Sequence, residues 1–158
     1  MHSKIVLVGP GASGKDFLRK KFQTRGFKFG VSCTTRPKRE GEEWGVDYYY
    51  MNDKDFHKHI HFDMMLEYQK FNGWYYGITK EEFEKCDILI LNAEAVEKLP
   101  KEYRERCFVI YTDIDRDIRL DRLNAREDFD NPERRIIEDD KQFRNFSDYD
   151  CRITNEDF

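Results

Sequence analysis

Lys4-Ile5-Val6-Leu7-Val8 runs directly into Gly9-Pro10-Gly11-Ala12-Ser13-Gly14-Lys15-Asp16, and that into Phe17-Leu18-Arg19-Lys20-Lys21-Phe22. A short apolar run, a glycine-rich turn and a segment with one apolar face predict strand, loop and helix in that order. The loop has the G-x-x-x-x-G-K spacing of a phosphate cradle. Glycines let backbone N–H groups point inward around an anion, and the helix N-terminus adds partial positive charge. Lys15 supplies a point charge for phosphate oxygens. Gly9, Pro10, Gly11, Ala12, Ser13, Gly14, Lys15 and Asp16 are therefore the candidate residues for binding the polyphosphate of ATP. Asp16 stands where a hydroxyl usually holds Mg²⁺. A carboxylate is tolerable beside polyphosphate mainly when a cation intervenes, so Asp16 is the candidate Mg²⁺ ligand, directly or through water. The alternative is that its charge only caps the helix.

Outward from this unit, short β-rich runs alternate with helical patterns, the signature of an α/β fold with a parallel sheet flanked by helices. Core strands are predicted at Lys4–Val8, Phe27–Phe29, Asp87–Leu91, Phe108–Thr112 and Cys151–Thr154. Helices are predicted at Lys15–Gln23, Ala93–Leu99, Asp117–Arg126 and Pro132–Asn145, the last with Asn131 as cap and Pro132 at its first position. Residues 32–79 break the rhythm. Tyr48–Met51, Met64–Tyr68 and Trp74–Tyr76 read as strands around a short helix near Asp55–Ile60, a mostly β insertion. Thr79-Lys80-Glu81-Glu82 has capping-box spacing and returns the chain to a helix. A single domain is expected, with its core in residues 1–31 and 80–158 and a short lid at about 126–135.

At 158 residues the chain has enough length for one genuine core. Charged residues make up 38%, and the net charge of −4 argues against an electrostatic nucleic-acid binder. Basic residues must act locally. The four cysteines, Cys33, Cys86, Cys107 and Cys151, form no C-x-x-C pair. With no charged-then-apolar leader and no run of membrane-spanning length, a reduced cytoplasmic protein without a membrane partner is expected, monomeric or homodimeric. His57, His59 and His61 place only two imidazoles on one helix face, with no third ligand in position, so they read as surface residues.

The second informative stretch is Ser32-Cys33-Thr34-Thr35-Arg36-Pro37-Lys38-Arg39-Glu40-Gly41-Glu42, followed by Gly45-Val46-Asp47-Tyr48. Two arginines three apart can fork onto a phosphate, and tyrosine hydroxyls can complete its shell. From Ser32 to Ile78 the sequence resembles the guanylate kinase family, whose S-x-T-T-R-x-x-R…G-x-D-Y pattern binds a nucleoside monophosphate. Leu66-Glu67 and Gly73-Trp74-Tyr75-Tyr76-Gly77 resemble its L-E…G-N-x-Y-G segment. The resemblance implies a P-loop NTPase-like fold with a small nucleotide-binding insertion and an ATP-dependent, Mg²⁺-dependent transfer to a purine monophosphate such as GMP. It assigns Ser32, Arg36, Arg39, Tyr48 and Tyr76 to the acceptor phosphate region and Glu67 to guanine. A carboxylate there can accept from guanine N1–H and the 2-amino group, a pair that adenine lacks.

Two places depart from the family. Ile78 replaces a hydroxyl that donates to guanine O6, and Ile90 and Asn92 occupy the places of an Asp-x-Asp pair. Ile78 and Asn92 are thus acceptor-site positions with altered chemistry. The G-x-S-G-K-D loop, Asn72–Gly77 and the run ending at Asn92 also resemble ribose 1,5-bisphosphate kinases. Arg122-Leu123-Asn124-Ala125-Arg126 and Arg135-Ile136 resemble the lid arginines that converge on the phosphates, making Arg122, Arg126 and Arg135 catalytic candidates beside Lys15 and Arg36. Asn155 resembles a residue near the adenine of ATP. Two rivals remain open: a sugar-phosphate kinase, and a non-catalytic guanylate-kinase-like domain that binds phosphorylated peptide.

Overall fold

The computed structural model describes residues 1–126 and 131–158. Its first sheet holds β1 (Lys4–Val8), β2 (Phe29–Gly30), β7 (Ile88–Leu91), β8 (Cys107–Thr112) and β9 (Cys151–Ile153), in the order β2-β7-β1-β8-β9. Every pairing in it is parallel. Strands of such a sheet are covered on both faces and are apolar throughout. Accordingly Val6, Leu7, Val8, Ile88, Leu89 and Val109 are fully buried. The covering helices are α1 (Lys15–Gln23), α3 (Lys80–Lys85), α4 (Ala93–Lys98), α5 (Lys101–Arg104), α6 (Arg116–Asn124) and α7 (Pro132–Phe143). Tyr111 of β8 stacks on Phe143 with ring centroids 5.4 Å apart, and Phe146 and Tyr149 close the same aromatic cluster.

The second sheet comes from β3 (Cys33–Thr34), β4 (Tyr49–Tyr50), β5 (Met65–Phe71) and β6 (Trp74–Thr79), ordered β4-β3-β6-β5. Helix α2 (Asp53–His61) buries Phe56 against Cys33 and Met65, giving this part a small core of its own. Asn72 and Gly73 join β5 to β6 with φ of 51° and 83°. Two successive left-handed residues make the tight turn that matches the twist of a hairpin.

The helix starts follow their cap chemistry. The side chains of Asn52, Thr79, Asn92, Asp115 and Asn131 each accept from a backbone N–H in the following first turn. Three expectations shift. The strand expected at Phe27–Phe29 lies at Phe29–Gly30, because Phe27 turns back onto Phe22 of α1 with ring centroids 5.1 Å apart. Strand β3 falls inside the Ser32–Glu42 motif, where no strand was expected, and α5 is likewise additional. Part of the expected lid, residues 127–130, lies outside the described residues; the rest of it enters α7.

Arg19 links the two sheets. Its buried guanidinium reaches Asp16 at 2.6 Å and Asp47 at 3.1 Å, and lies 4.5 Å from the Phe29 ring. Among the described residues no helix is long and apolar enough to cross a membrane.

Candidate active site

At the C-terminal ends of β1 and β7 a cleft of about 750 Å³, open mouth included, separates the two sheets. Gly9, Gly11 and Lys15 line one side; Ser32, Arg36, Arg39, Tyr48, Glu67 and Tyr76 line the other; Asn92 and, from α7, Arg135 and Asp139 complete the wall. The two phosphate sites inferred from the sequence thus share one space. Ligands of parallel α/β sheets bind at this end of the strands.

Local geometry explains the loop. A Cβ on Gly9 would fall 2.1 Å from Thr112 Oγ1 and 2.7 Å from the Thr112 carbonyl oxygen, so only glycine lets the loop pass the end of β8. Gly14 has φ of 93°, a left-handed turn that admits the chain to α1. Ser13 is fully buried, its hydroxyl 2.6 Å from that of Thr112, and so anchors the loop to β8. Lys15 lies back across the loop and donates to the Gly9 and Pro10 carbonyls at 2.6 and 2.8 Å. Burial lowers its pKa to about 8; Asp139 opposes the shift, while Arg135, Arg126 and Arg119 add to it.

Asp139 was not anticipated. Its Oδ2 accepts from the Gly11 N–H at 2.9 Å, 128 residues away in sequence. It is buried in α7 on the same face as Ile136 and Phe143. A carboxylate at i+3 on an otherwise apolar stripe is the sequence signal that could have identified it. Burial raises its pKa against the pull of the Gly11 N–H and of Lys15, Arg135 and Arg119.

The three arginines that the resemblance assigns to a lid divide. Arg135 lines the cleft, and a Cβ on Gly11 would meet its guanidinium at 3.2 Å. Arg122 donates to the Ala12 carbonyl at 3.0 Å and so supports the loop from behind. Arg126 is near enough to depress the Lys15 pKa. Asp16 is 59% exposed and its carboxylate pairs with Arg19 at 2.6 Å and Lys20 at 3.0 Å, away from the cleft wall. Asn155 is exposed, and its side chain accepts from the Asp157 N–H at 3.0 Å, outside the cleft lining. The following Phe158 lays its ring beside Gly14 and Phe17. No group of three side chains suited to a metal ion occurs among the described residues, the histidines of α2 included.

On the acceptor side Arg36 is buried. It donates to both Glu42 oxygens, at 2.9 and 3.1 Å, and to the Pro37 carbonyl, while its guanidinium lies 5.2 Å from the Tyr48 ring. Glu42 also accepts from Tyr50 at 2.7 Å and from the Arg39 N–H at 2.8 Å. This carboxylate positions both the arginine and the loop; in sequence it is one acidic residue among several. The Tyr48 and Tyr76 rings stand edge to face, 6.1 Å apart. Burial raises both pKa values, that of Tyr76 to about 12, so both hydroxyls stay protonated and able to donate.

At the far end Glu67 is 5% exposed and its Oε2 has no hydrogen-bond partner. Burial lifts its pKa to about 8, against the Ile78 N–H and Lys98. The neighbouring Gln69 faces the same cleft, equally buried, with its Oε1 unpartnered. A polar residue at a buried, period-two position of a strand is its signal, and it went unread. Ile78 is fully buried in the main core and does not line the cleft. Asn92 lines it, although its side-chain oxygen is committed to capping α4 through the Ala95 N–H at 2.8 Å.

Comparison with known proteins agrees with this geometry. The family model described as guanylate kinase matches residues 1–158. The chain is 32% identical to a guanylate kinase of Symbiobacterium thermophilum, over 97% of this chain and 77% of the relative. It is 31% identical to one of Helicobacter pylori, over 97% and 79%. The crystal structure of guanylate kinase from Anaplasma phagocytophilum superimposes with a TM-score of 0.73 at 23% identity, covering 99% of this chain and 78% of that one, a likeness of fold. The cleft therefore sits in a chain whose whole length matches one family, and the protein belongs to the guanylate kinase family.

Proposed function

We propose that this kinase transfers the γ-phosphoryl group of ATP to the phosphate of GMP or dGMP. The observation that carries the reading is the shared cleft: Lys15 and the glycine loop face Arg36, Arg39, Tyr48 and Tyr76, with the buried, half-satisfied Glu67 beyond them. An acceptor held by its phosphate on the arginines and tyrosines, with its base at Glu67, has a phosphate oxygen directed at the donor loop. That oxygen attacks the γ-phosphorus in line as the bond to the β-phosphate oxygen breaks and ADP leaves. Transfer of this kind needs alignment and charge neutralisation more than a protein base. Lys15 would hold the donor phosphates, and Arg36, Arg39, Arg126 and Arg135 would balance charge around the moving group. Asp139 would position the loop through Gly11 and moderate the cationic field.

The donor set fits a magnesium ion that takes most of its ligands from phosphate and water, since hard oxygen donors are present without a protein cage. When bound, Mg²⁺ supplies neutralisation of the β- and γ-phosphates. Asp16 would reach it, directly or through water, only after release from Arg19 and Lys20. We place the enzyme in the cytoplasm, a compartment that suits its four free cysteines, three of them buried.

The withdrawal of Ile78 into the core favours the sugar-phosphate reading, whereas a buried unpartnered carboxylate favours a base with N–H donors. ADP release with ATP, Mg²⁺ and each of GMP, dGMP, AMP, CMP, UMP and ribose 1,5-bisphosphate separates them. GMP and dGMP are expected to be turned over; ADP formed with ribose 1,5-bisphosphate alone refutes the proposal. The intact loop and Lys15 speak against a non-catalytic binding domain.

A further inference from the structure

Gln69 is the buried polar group in the cleft for which the phosphate sites give no use. Three observations bear on it. Its side chain is only 5% exposed, lines the same cleft as Glu67 two residues away on β5, and leaves its amide oxygen Oε1 buried without a partner. Across the hairpin Gln69 pairs with Tyr76 while Glu67 pairs with Ile78, so Gln69 stands one step nearer the phosphate end than Glu67 does. The third is the position of Ile78, fully buried beside Gly30 and Cys86 and without any hydroxyl to offer the cleft.

A buried amide left unpaired costs stability, and such groups occur where a ligand completes them. The occupant must therefore bring polar atoms to two places: donors at Glu67, and a complement to an amide at Gln69. An amide carries both a donor and an acceptor end, and half a turn about its last bond exchanges them. Guanine meets both requirements on adjoining positions. Its N1–H and 2-amino group suit the carboxylate. Its O6 is carried by C6, the ring atom next to N1, on the edge that continues to N7.

Resting on the guanine-nucleotide reading above, we propose that Gln69 is a specificity-determining residue whose amide N–H donates to O6 of the acceptor base. It would do the work that Ile78 cannot. Glu67 and Gln69 then form a two-residue reader on one strand face, selecting purines with a 6-oxo group and a 2-amino group. Adenine would leave Glu67 without an N1–H, whichever way the Gln69 amide is turned.

The test compares GMP with 6-thioguanosine 5′-monophosphate, which keeps the N1–H and the 2-amino group and carries sulfur, a poorer hydrogen-bond acceptor, in place of O6. Both are measured as acceptors for the wild-type protein and for Gln69→Leu and Gln69→Glu; dGMP is run in parallel. The ratio of kcat/KM values within one preparation is independent of how much of a variant is folded. The wild type is expected to favour GMP by about fivefold or more, the worth of weakening one donor's bond to a buried carbonyl. Both variants should lose that preference, through a raised KM for GMP with little change for the analogue. Equal losses on both acceptors would make Gln69 a packing residue and overturn the inference. So would an altered ratio of GMP to dGMP with the O6 preference intact, which would make it a sugar reader. A wild type that turns over ribose 1,5-bisphosphate and not GMP fails earlier and differently, removing the guanine reading and this inference with it.

Discussion

Replacing Glu67 by Gln should make the folded protein more stable and the enzyme worse, with the stability gain growing as pH rises. Burial raises the Glu67 pKa from 4.5 to about 8, with Glu94 adding to the shift and the Ile78 N–H and Lys98 opposing it. Between these two values the folded chain holds a proton that the unfolded chain has released. Stability is therefore complete below pH 4.5 and is lost as pH rises through 8. The linkage amounts to about 4 kcal/mol between pH 5 and pH 8, at 1.36 kcal/mol for each unit. Glutamine has the same shape and no proton to lose. Urea unfolding of both proteins at pH 5, 6, 7 and 8, followed by far-UV circular dichroism, measures the difference directly. Contributions from other groups, the depressed Lys15 among them, are common to the two proteins and cancel. The stability of Glu67→Gln relative to wild type should climb by about 4 kcal/mol across this range. Parallel profiles, separating by less than about 1 kcal/mol, would refute the reasoning, because Glu67 would then not be a carboxyl held protonated in a dry cleft. In the same preparations kcat/KM for GMP should fall by about a hundredfold, since two guanine N–H donors favour the Glu67 carboxylate once the base is bound, whereas an amide cannot accept from both at once.

Two further outcomes are expected. Lys15 titrates near 8 in the empty cleft, lowered by burial, so the free enzyme loses this charge as pH rises; kcat/KM for ATP should fall about tenfold for each pH unit above 8 in wild type, and Lys15→Arg should lack this limb. A wild-type profile flat to about pH 9.5 would show that the lysine does not titrate there. Asp16→Asn, assayed at fixed ATP, should raise the half-saturating Mg²⁺ concentration several-fold; an unchanged magnesium dependence would leave Asp16 only its ion pairs with Arg19 and Lys20.

The parts of this protein that were legible in its sequence are those governed by neighbours along the chain. The left-handed turn at Gly14, the caps at Thr79, Asn92 and Asn131, and the apolar runs of β1, β7 and β8 all act within a few residues of where they are read. The motif arginines and tyrosines were legible because they recur as a spaced pattern, and the structure gathers them at one cleft. Asp139, Glu42 and Gln69 were not. Each owes its place to a partner or a surface brought up by the fold: the Gly11 N–H for Asp139, the Arg36 guanidinium for Glu42, the cleft wall for Gln69. Asp16 shows the converse. Its position in the motif suggests a metal ligand, yet the helix that follows sets Arg19 and Lys20 three and four residues on, where they engage its carboxylate.

Arg134, at the start of α7, donates to the Asn72 side chain at 3.1 Å, and Asn72 sits at the tip of the β5–β6 hairpin. That bond joins the rim above the donor loop to the rim above the acceptor, since Arg135 and Asp139 continue one wall and Phe71 and Gln69 the other. A solvent-accessible hydrogen bond of this kind is cheap to break and quick to reform, so it ties the two rims without locking them. The residue at its far end, in the left-handed turn, is one of the few that tolerates that backbone while offering an oxygen to grasp.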